Sequence, residues 1–451
     1  MIVMKFGGTS VQDAQAIRRV ISIVKTRLKD SPLVVVSAFA RVTRLLVEMA
    51  EEAQAQHTSE VKDLMDKLRE RHEGVCADLL GGNPDLLKET SSLVGAVCDS
   101  LEDFVAGVCK IGELSPRSRA RIVSTGEVLS SIIVNAAMNE NGVVSHWADA
   151  RTLIITDDNY MSARPDMTLT KANIRRVVPG IMKGADVVLT QGFVASTTAG
   201  ATSVLGFEGS DYSAALFGMA LRADRVEIWT DVDGIRTADP RVVPQTQRLE
   251  RISYEEAAEM AYLGARVLHP LTIEPARGKN IPIYVLNTMN PEGEGSAVVM
   301  GEGIPDGPKS VAFRDEIDFL VIESSQIVGV KDMLSRVFRI LDDCRVAVSL
   351  VSASESKVSL TIPAGQLHTA EAVEQISEIY STTLYKDKAQ VSVTGRNVVY
   401  HQGLTSGVLD IAGTVYMVSV GANLMSLSFV VDREKIREII CGLHDMLFKT
   451  E

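Results

Sequence analysis

An α/β protein of more than one domain is predicted by three observations. The chain is too long for one core, short β-branched runs alternate with helical spacings over its first 300 residues, and a smaller strand and helix pattern repeats after them. The chain has 451 residues, 46% of them apolar and 23% charged, without a long polar tract. A chain of that length outgrows a single hydrophobic core. Its apolar share lets every part bury enough surface to offset the entropy of ordering, so the whole chain is expected to fold.

Ile2 to Met4 reads as a buried strand, Gly7-Gly8-Thr9-Ser10 as a turn, and Ile17, Val20, Ile21, Val24 and Leu28 recur at helical spacing. Residues 33–37 form a second β-branched run, and 41–55 are helical in spacing. Such alternation predicts a parallel sheet with helices on both faces. Residues 48–116 carry few strand formers and a Gly81-Gly82-Asn83-Pro84 breaker, which predicts a helical insertion. Strands resume at 187–190 and 226–229, each ending in a polar residue, as expected where a ligand binds at the carboxyl edge of a sheet. Residues 287–308, rich in Gly, Pro, Asn and Glu, read as a linker.

Beyond it, strands at 317–322, 346–350 and 358–362 with a helix at 333–341 are followed about 70 residues later by strands at 390–394, 416–420 and 426–431 with a helix at 403–411. This predicts a pair of small α/β units, against the alternative of a single α+β domain. The expected division is 1–300 for the first domain, 309–380 and 381–451 for the two modules.

The net charge of -12 and the lack of a basic run argue against nucleic acid and anionic lipid as partners. With neither a signal-peptide pattern nor an uncharged apolar stretch of spanning length, the expected location is cytoplasmic, off the membrane. Five scattered cysteines and seven histidines show no metal-ligand spacing, so neither a disulfide framework nor a metal site is predicted.

Lys5-Phe6-Gly7-Gly8-Thr9-Ser10 sits between a strand and a helix, where absent Cβ atoms let phosphate oxygens approach backbone N–H groups. Lys5 adds a point charge. The segment is not a Walker A loop, because the Gly278-Lys279 pair lacks both the upstream glycine and a following Ser or Thr. Gly206 to Ser213 opens another helix, so its N-terminus is a second anion site, with Ser210 or Asp211 as a simple N-cap the competing reading. The segment Trp229-Thr230-Asp231-Val232-Asp233-Gly234-Ile235, followed by Thr237-Ala238-Asp239-Pro240-Arg241, is a polar loop leaving a buried strand.

Five motifs then carry a resemblance over essentially the whole chain. They are Lys-Phe-Gly-Gly-Thr-Ser at 5–10, Ser-Thr-Gly-Glu-Val-Leu-Ser at 124–130, Gly-Ser-Asp-Tyr-Ser-Ala-Ala at 209–215, Trp-Thr-Asp-Val-Asp-Gly-Ile at 229–235 and Val-Leu-His-Pro at 267–270. The sequence resembles the aspartate kinase branch of the amino-acid kinase family. The resemblance implies an amino-acid kinase fold followed by two ACT modules. It implies transfer of the ATP γ-phosphoryl group to the β-carboxylate of L-aspartate, a step toward lysine, threonine and methionine. ATP would then contact Lys5, Phe6, Gly7, Gly8, Thr230, Asp231, Arg236, Arg241 and Arg266, accompanied by Mg²⁺. The amino acid would contact Thr43, Glu127, Phe207, Glu208, Gly209 and Ser210. Lys5 would neutralise phosphate charge, Asp211 would orient Lys5 or Mg²⁺, and Glu127 would accept the substrate ammonium. An amino-acid effector at the ACT modules and a homodimer or larger assembly are also implied.

The chain departs from the family pattern at Phe207, where an arginine usually precedes the Gly-Ser-Asp segment, and at Arg41 and Arg44, where glycine and asparagine are commoner. Either Arg41 or Arg44 takes over carboxylate binding, or both are solvated arginines, or the substrate is a related acidic amino acid. A catalytically inactive amino-acid sensor on the same fold is the reading from another class. His269 before Pro270 reads as structural. Ser354, Glu355 and residues 327–334 are the expected effector contacts, while Ser349 stands where lysine-sensing members tend to have an acidic residue.

Overall fold

A computed structural model describes residues 1–206, 208–264, 268, 270–324 and 330–449. The chain divides into two compact units, Met1–Ile235 with Leu268–Met300, and Arg236–Val267 with Gly301–Glu451. The segment after residue 235, read from sequence as part of the first domain, thus groups with the C-terminal unit.

The first unit opens with β1 (Ile2–Phe6), α1 (Ala14–Lys25), β2 (Pro32–Val36), α2 (Val42–Gln54), α3 (Thr58–Leu80) and α4 (Pro84–Ile111). It continues with α5 (Pro116–Val123), α6 (Thr125–Glu140), β3 (Ser145–Ala148), β4 (Ile155–Thr156), α7 (Met167–Met182) and β5 (Val187–Gln191). Then come β6 (Val194–Thr197), β7 (Thr202–Val204), α8 (Gly209–Leu221) and β8 (Arg225–Thr230). The chain passes through β9 (Arg251–Ser253) and α9 (Tyr254–Tyr262) of the second unit and returns as α10 (Pro270–Arg277), β10 (Ile283–Asn287) and β11 (Ser296–Val299).

The strand order of the main sheet in this unit is β3-β5-β2-β1-β8-β10-β11, parallel except for β11. Ile2, Val3, Met4, Phe6 and all of β2 are buried, as expected of strands covered on both faces. The α3–α4 pair is the helical insertion, broken where expected: Asn83 caps α4 by accepting from Leu86 N, and Pro84 takes a first-turn position whose missing N–H costs nothing.

In the second unit, β12 (Ser310–Glu323), α11 (Val330–Asp343), β13 (Leu350–Ala353), β14 (Lys357–Pro363) and α12 (Thr369–Ser377) are followed by β15 (Ser381–Thr394), α13 (Leu404–Ala412), β16 (Met417–Val420), β17 (Ser426–Asp432) and α14 (Ile436–Phe448). The repeated order of elements is real. All six strands form one sheet in the order β13-β14-β12-β15-β17-β16. The halves do not part at residue 380, because β12 and β15 pair along their lengths and cross from one core to the other. Val311, Val391 and Val393 pack with Phe429 and Leu443, whereas Leu320 and Ile322 pack with Val337 and Leu360.

Three expectations need correction. Residues 287–308 contain β11, whose Ser296 to Val298 complete pairs with β10, so this Gly-rich stretch is partly sheet. Residues 346–349 are not strand; β13 starts at Leu350, after Val346 has turned into the core beside Leu341. β12 and β15 each extend to 14 residues because each supplies the other's partner across a bulge near Arg314 to Ile317.

Candidate active site

The parallel strands β1, β2, β5 and β8 deliver their carboxyl ends to one edge, and the loops leaving them are tied together through backbone bonds. Gly7 N donates to Trp229 O at 3.1 Å, Ser37 N to Phe6 O at 3.1 Å and Gly192 N to Val36 O at 2.9 Å. Each strand-end turn is therefore held by its neighbour. At Gly192 only glycine fits, because a Cβ would stand 2.7 Å from the Cα of Ser210. That contact seats the start of α8 on the sheet edge.

Lys5, near the end of β1, forms an ion pair with Asp211 in the first turn of α8, and both side chains are largely buried. Its ammonium lies 3.6 Å from the point a Cβ on Gly7 would occupy, directly over the glycine turn. A lysine charge, a glycine turn and a helix N-terminus converge here, a combination suited to phosphate. The cap of α8 is Glu208, in a left-handed conformation at φ 53° with no side-chain cap bond, so Ser210 and Asp211 lie inside the helix rather than capping it. Burial pushes the Glu208 carboxyl up, the Asp211 charge adds to this and Lys5 opposes it. Its Oε2 is buried without a hydrogen bond among the described residues.

Glu127 reaches the same edge from α6. Gly126 lets α6 close on the loop after β2, where a Cβ would stand 2.8 Å from Ala38 Cβ, and Ser130 Oγ donates to Ser37 O at 2.7 Å. Burial pushes the Glu127 carboxyl up to about 8, against hydrogen bonds from the backbone N–H of Ala38 and of Glu127 itself. Its Oε2 has no partner among the described residues. A protonated carboxyl in such a place ionises once a cation arrives. Thr43 lies half-buried in the first turn of α2, behind Arg41, which holds φ 70°. The side chains of Arg41 and Arg44 are exposed and make no ion pair among the described residues.

Thr230 ends β8; its carbonyl accepts from Thr288 N at 2.9 Å and its hydroxyl donates to Asp231 at 3.1 Å. The structure thus brings together Lys5, Phe6, Gly7, Gly8, Gly209, Ser210 and Asp211, with Thr230 and Asp231 on the adjoining strand end and Glu127 and Thr43 around the loop after β2. Arg236 and Arg241 belong to the second unit, where Arg236 donates to Thr246 and Arg241 is paired with Asp239. Phe207, Arg266 and His269 lie outside the described residues, as do residues 327–329 of the expected effector segment. Among the described residues no group of three His, Cys, Asp or Glu is placed to hold a metal. A cavity of about 770 Å³ between α4, α5, α6 and the β6–β7 hairpin, lined by Phe104, Arg117, Arg121 and Val128, contains none of the expected site residues.

The model of the amino acid kinase family matches residues 1–287, more than half of the chain. This chain belongs to the amino acid kinase family. Its relatives place it in the aspartokinase branch. The lysine-sensitive aspartokinase 3 of Escherichia coli is 32% identical, the match covering 100% of this chain and 99% of that protein. Chloroplastic aspartokinase 1 of Arabidopsis thaliana is 30% identical over 99% of this chain and 80% of its own length. The crystal structure of E. coli aspartokinase III in complex with aspartate and ADP, an R-state, superposes with a TM-score of 0.88 at 31% identity, covering 100% of both chains. Its T-state complex with lysine and aspartate gives 0.83 over the same coverage. The fold is accordingly that of an amino-acid kinase followed by ACT modules, and the chain is an ATP-dependent phosphotransferase acting on a carboxyl group. No helix among the described residues is long and apolar enough to cross a membrane.

Proposed function

We propose that this aspartate kinase performs its transfer at the edge built by β1, β2, β8 and α8, with Lys5 as the phosphate-neutralising residue and Glu127 as the acceptor of the substrate ammonium. The observation that carries the reading is the buried Lys5–Asp211 pair set over the glycine turn. An oxygen of the aspartate β-carboxylate forms the new P–O bond as the bond from the γ-phosphorus to the bridging oxygen of ADP breaks. The nucleophile is already ionised, so no strong base is needed; the barrier lies in bringing two anions together. Lys5 supplies the countercharge, and Asp211 holds the lysine in place. Gly7 and Gly8 let the phosphates approach the backbone, and Thr230 and Asp231 stand where the rest of the nucleotide leaves the sheet edge.

Mg²⁺ fits as the nucleotide's companion rather than as a resident ion, since such an ion takes most of its ligands from phosphate and water. The Glu208 carboxyl beside Asp211, whose Oε2 has no partner among the described residues, offers it a protein contact, and the cation would relieve the repulsion between the two acids. With the ammonium on Glu127, the α-carboxylate is taken by Arg41 or Arg44, the exposed and unpaired cations at the start of α2. An amino-acid effector acts through the ACT modules, where Ser354 and Glu355 are exposed between β13 and β14. A homodimer or larger assembly completes the reading; a monomeric mass by light scattering at assay concentration would remove it.

The test is hydroxamate formation from MgATP and hydroxylamine with aspartate, glutamate and other acidic amino acids, repeated with lysine or threonine. Aspartate-dependent product is expected. Product with a different acid alone would move the substrate, and none with any would leave an inactive sensor.

A further inference from the structure

The phosphate turn and the loop that positions Glu127 are far apart in sequence, yet one side chain from the helical insertion holds both. Arg71 of α3 donates through Nη1 to Ala40 O at 2.8 Å and through Nη2 to Gln12 O at 3.2 Å. Ala40 N in turn donates to Gly8 O at 3.1 Å, and a Cβ on Gly8 would stand 3.0 Å from Ala38 O. The residue between them, Phe39, is fully buried with the Arg71 guanidinium 6.0 Å from its ring centroid. Its ring stacks on His72 at 4.8 Å with 8° between planes, and His72 Nδ1 is 2.7 Å from Leu68 O. Two successive residues of α3 thus grip two consecutive residues of the loop after β2, Phe39 and Ala40, and Arg71 also holds Gln12, just past the glycine turn.

We infer that Arg71 is a positioning residue for the transfer, its two-armed guanidinium setting the distance between the phosphate turn and the Glu127 loop. A guanidinium suits this task because its donors are fixed in one plane, so two carbonyls bound by separate nitrogens are held at a set spacing. Lysine, a point charge on a flexible stem, secures one carbonyl at a time. Ala38 N–H, which hydrogen-bonds Glu127, lies two residues from the carbonyl that Arg71 holds, so the substrate's ammonium site and the γ-phosphoryl site share one clamp. Charge adds a second consequence: Arg71 is half-buried beside Arg41, and burial followed by that neighbour lowers its pKa.

The inference rests on the proposed site, and its test separates the two. Arg71→Ala, Arg71→Lys and the parent protein are compared by amide hydrogen exchange with mass spectrometry and by steady-state kinetics. In Arg71→Ala, exchange should rise about tenfold in peptides covering both 7–12 and 37–41 while β12 and β15 stay as in the parent, since local opening follows lost local bonds. The kcat/KM should fall about 100-fold for both substrates, the cost expected when reacting groups are displaced by about an ångström. Arg71→Lys should fall between the two, and guanidinium ion should restore part of the Arg71→Ala activity. Exchange changing in neither segment, or in one alone, overturns the inference whatever the kinetics. An equal loss of activity in both variants without guanidinium rescue also overturns it. Should Arg71→Ala fail to fold, Arg71→Lys carries the same comparison. A parent protein silent in the hydroxamate assay would refute the proposed site, while the exchange result would still decide whether Arg71 clamps the two loops.

Discussion

Two buried charged groups, Lys388 in the second unit and Glu127 in the first, are held in opposite ways. In the second, Lys388 is 5% exposed, yet it lies 2.8 Å from Asp432 and 3.0 Å from Asp387, with Tyr416 beneath it and the Tyr416 hydroxyl donating to Asp432. Burial works against its charge, but the two carboxylates hold its pKa above the ordinary lysine value. In the first, Glu127 and Glu208 each keep a buried oxygen without a partner among the described residues. A structural polar group is satisfied within the fold; a group awaiting a ligand is left short. Exposure alone would not separate Lys388 from Lys5, and each has a carboxylate partner; what differs is that Lys388 has two carboxylates beside it, whereas Lys5 has Asp211 and stands over a glycine turn.

The sharpest way to break this contrast is to exchange the fates of the two lysines. Lys5→Met should lower kcat by about a thousandfold, the scale of losing a group that stabilises developing charge, and should also lower the unfolding midpoint, because Asp211 loses its buried partner. Lys388→Met should cost about 2 kcal/mol of stability in urea, because Asp432 loses its buried partner, but should leave turnover at saturating substrate within about twofold of the parent. A fully active Lys5→Met or an inactive Lys388→Met would end the distinction.

Next in size is the effect of Glu127. Glu127→Gln should raise the aspartate KM about 100-fold, as expected when one partner of a buried charge pair is removed. Since its carboxyl titrates near 8 when empty, aspartate binding at pH 7 should release close to one proton, and Glu127→Gln should release none. Calorimetry in two buffers of different ionisation enthalpy reads this directly. The sign for stability follows. The folded pKa lies above the unfolded one, so the contribution is fully present below about 4.5 and fades as pH rises to about 8. Glu127→Gln should therefore gain stability relative to the parent from pH 5 to pH 8.

His72 runs the other way. Burial pushes it down to about 4, so its contribution is present above 6.5 and is lost as pH falls through 4. Replacing it with Phe keeps a ring against Phe39, and the variant should gain about 3 kcal/mol on the parent between pH 6.5 and pH 4. The smallest effect is the most discriminating for substrate choice. Arg44→Ala or Arg41→Ala should raise the aspartate KM about tenfold with kcat held, the pattern of a lost uniform contact. If both variants keep the parental KM, the cation missing at Phe207 has not been relocated.

Much of this was legible from residue patterns, and what was not has physical causes. β1, the glycine turn and α1 announce themselves through local periodicity, and the 81–84 breaker lies between α3 and α4 as read. β11 was hidden because Ser296 to Val299 become a strand only through pairing with β10. The lengths of β12 and β15 were underestimated for the same reason, since a strand is extended by its partner rather than by its own composition. In the site, Lys5 and Asp211 stood out because each adjoins a glycine turn or helix start. Arg71 did not, being one charged residue in a helix rich in them, and only tertiary contact distinguishes it. Arg236 and Arg241 follow β8 closely in sequence, but their contacts belong to the other unit.

The two long strands of the second unit carry a consequence for how that unit comes apart. Because β12 and β15 each thread both hydrophobic cores, neither core can be exposed without stripping a strand from the other. The ACT modules therefore melt as one cooperative block, and a fragment cut at residue 380 would keep β12 with half its hydrogen-bonding partners missing. Evolution can retune either half of such a block, but only together with the other.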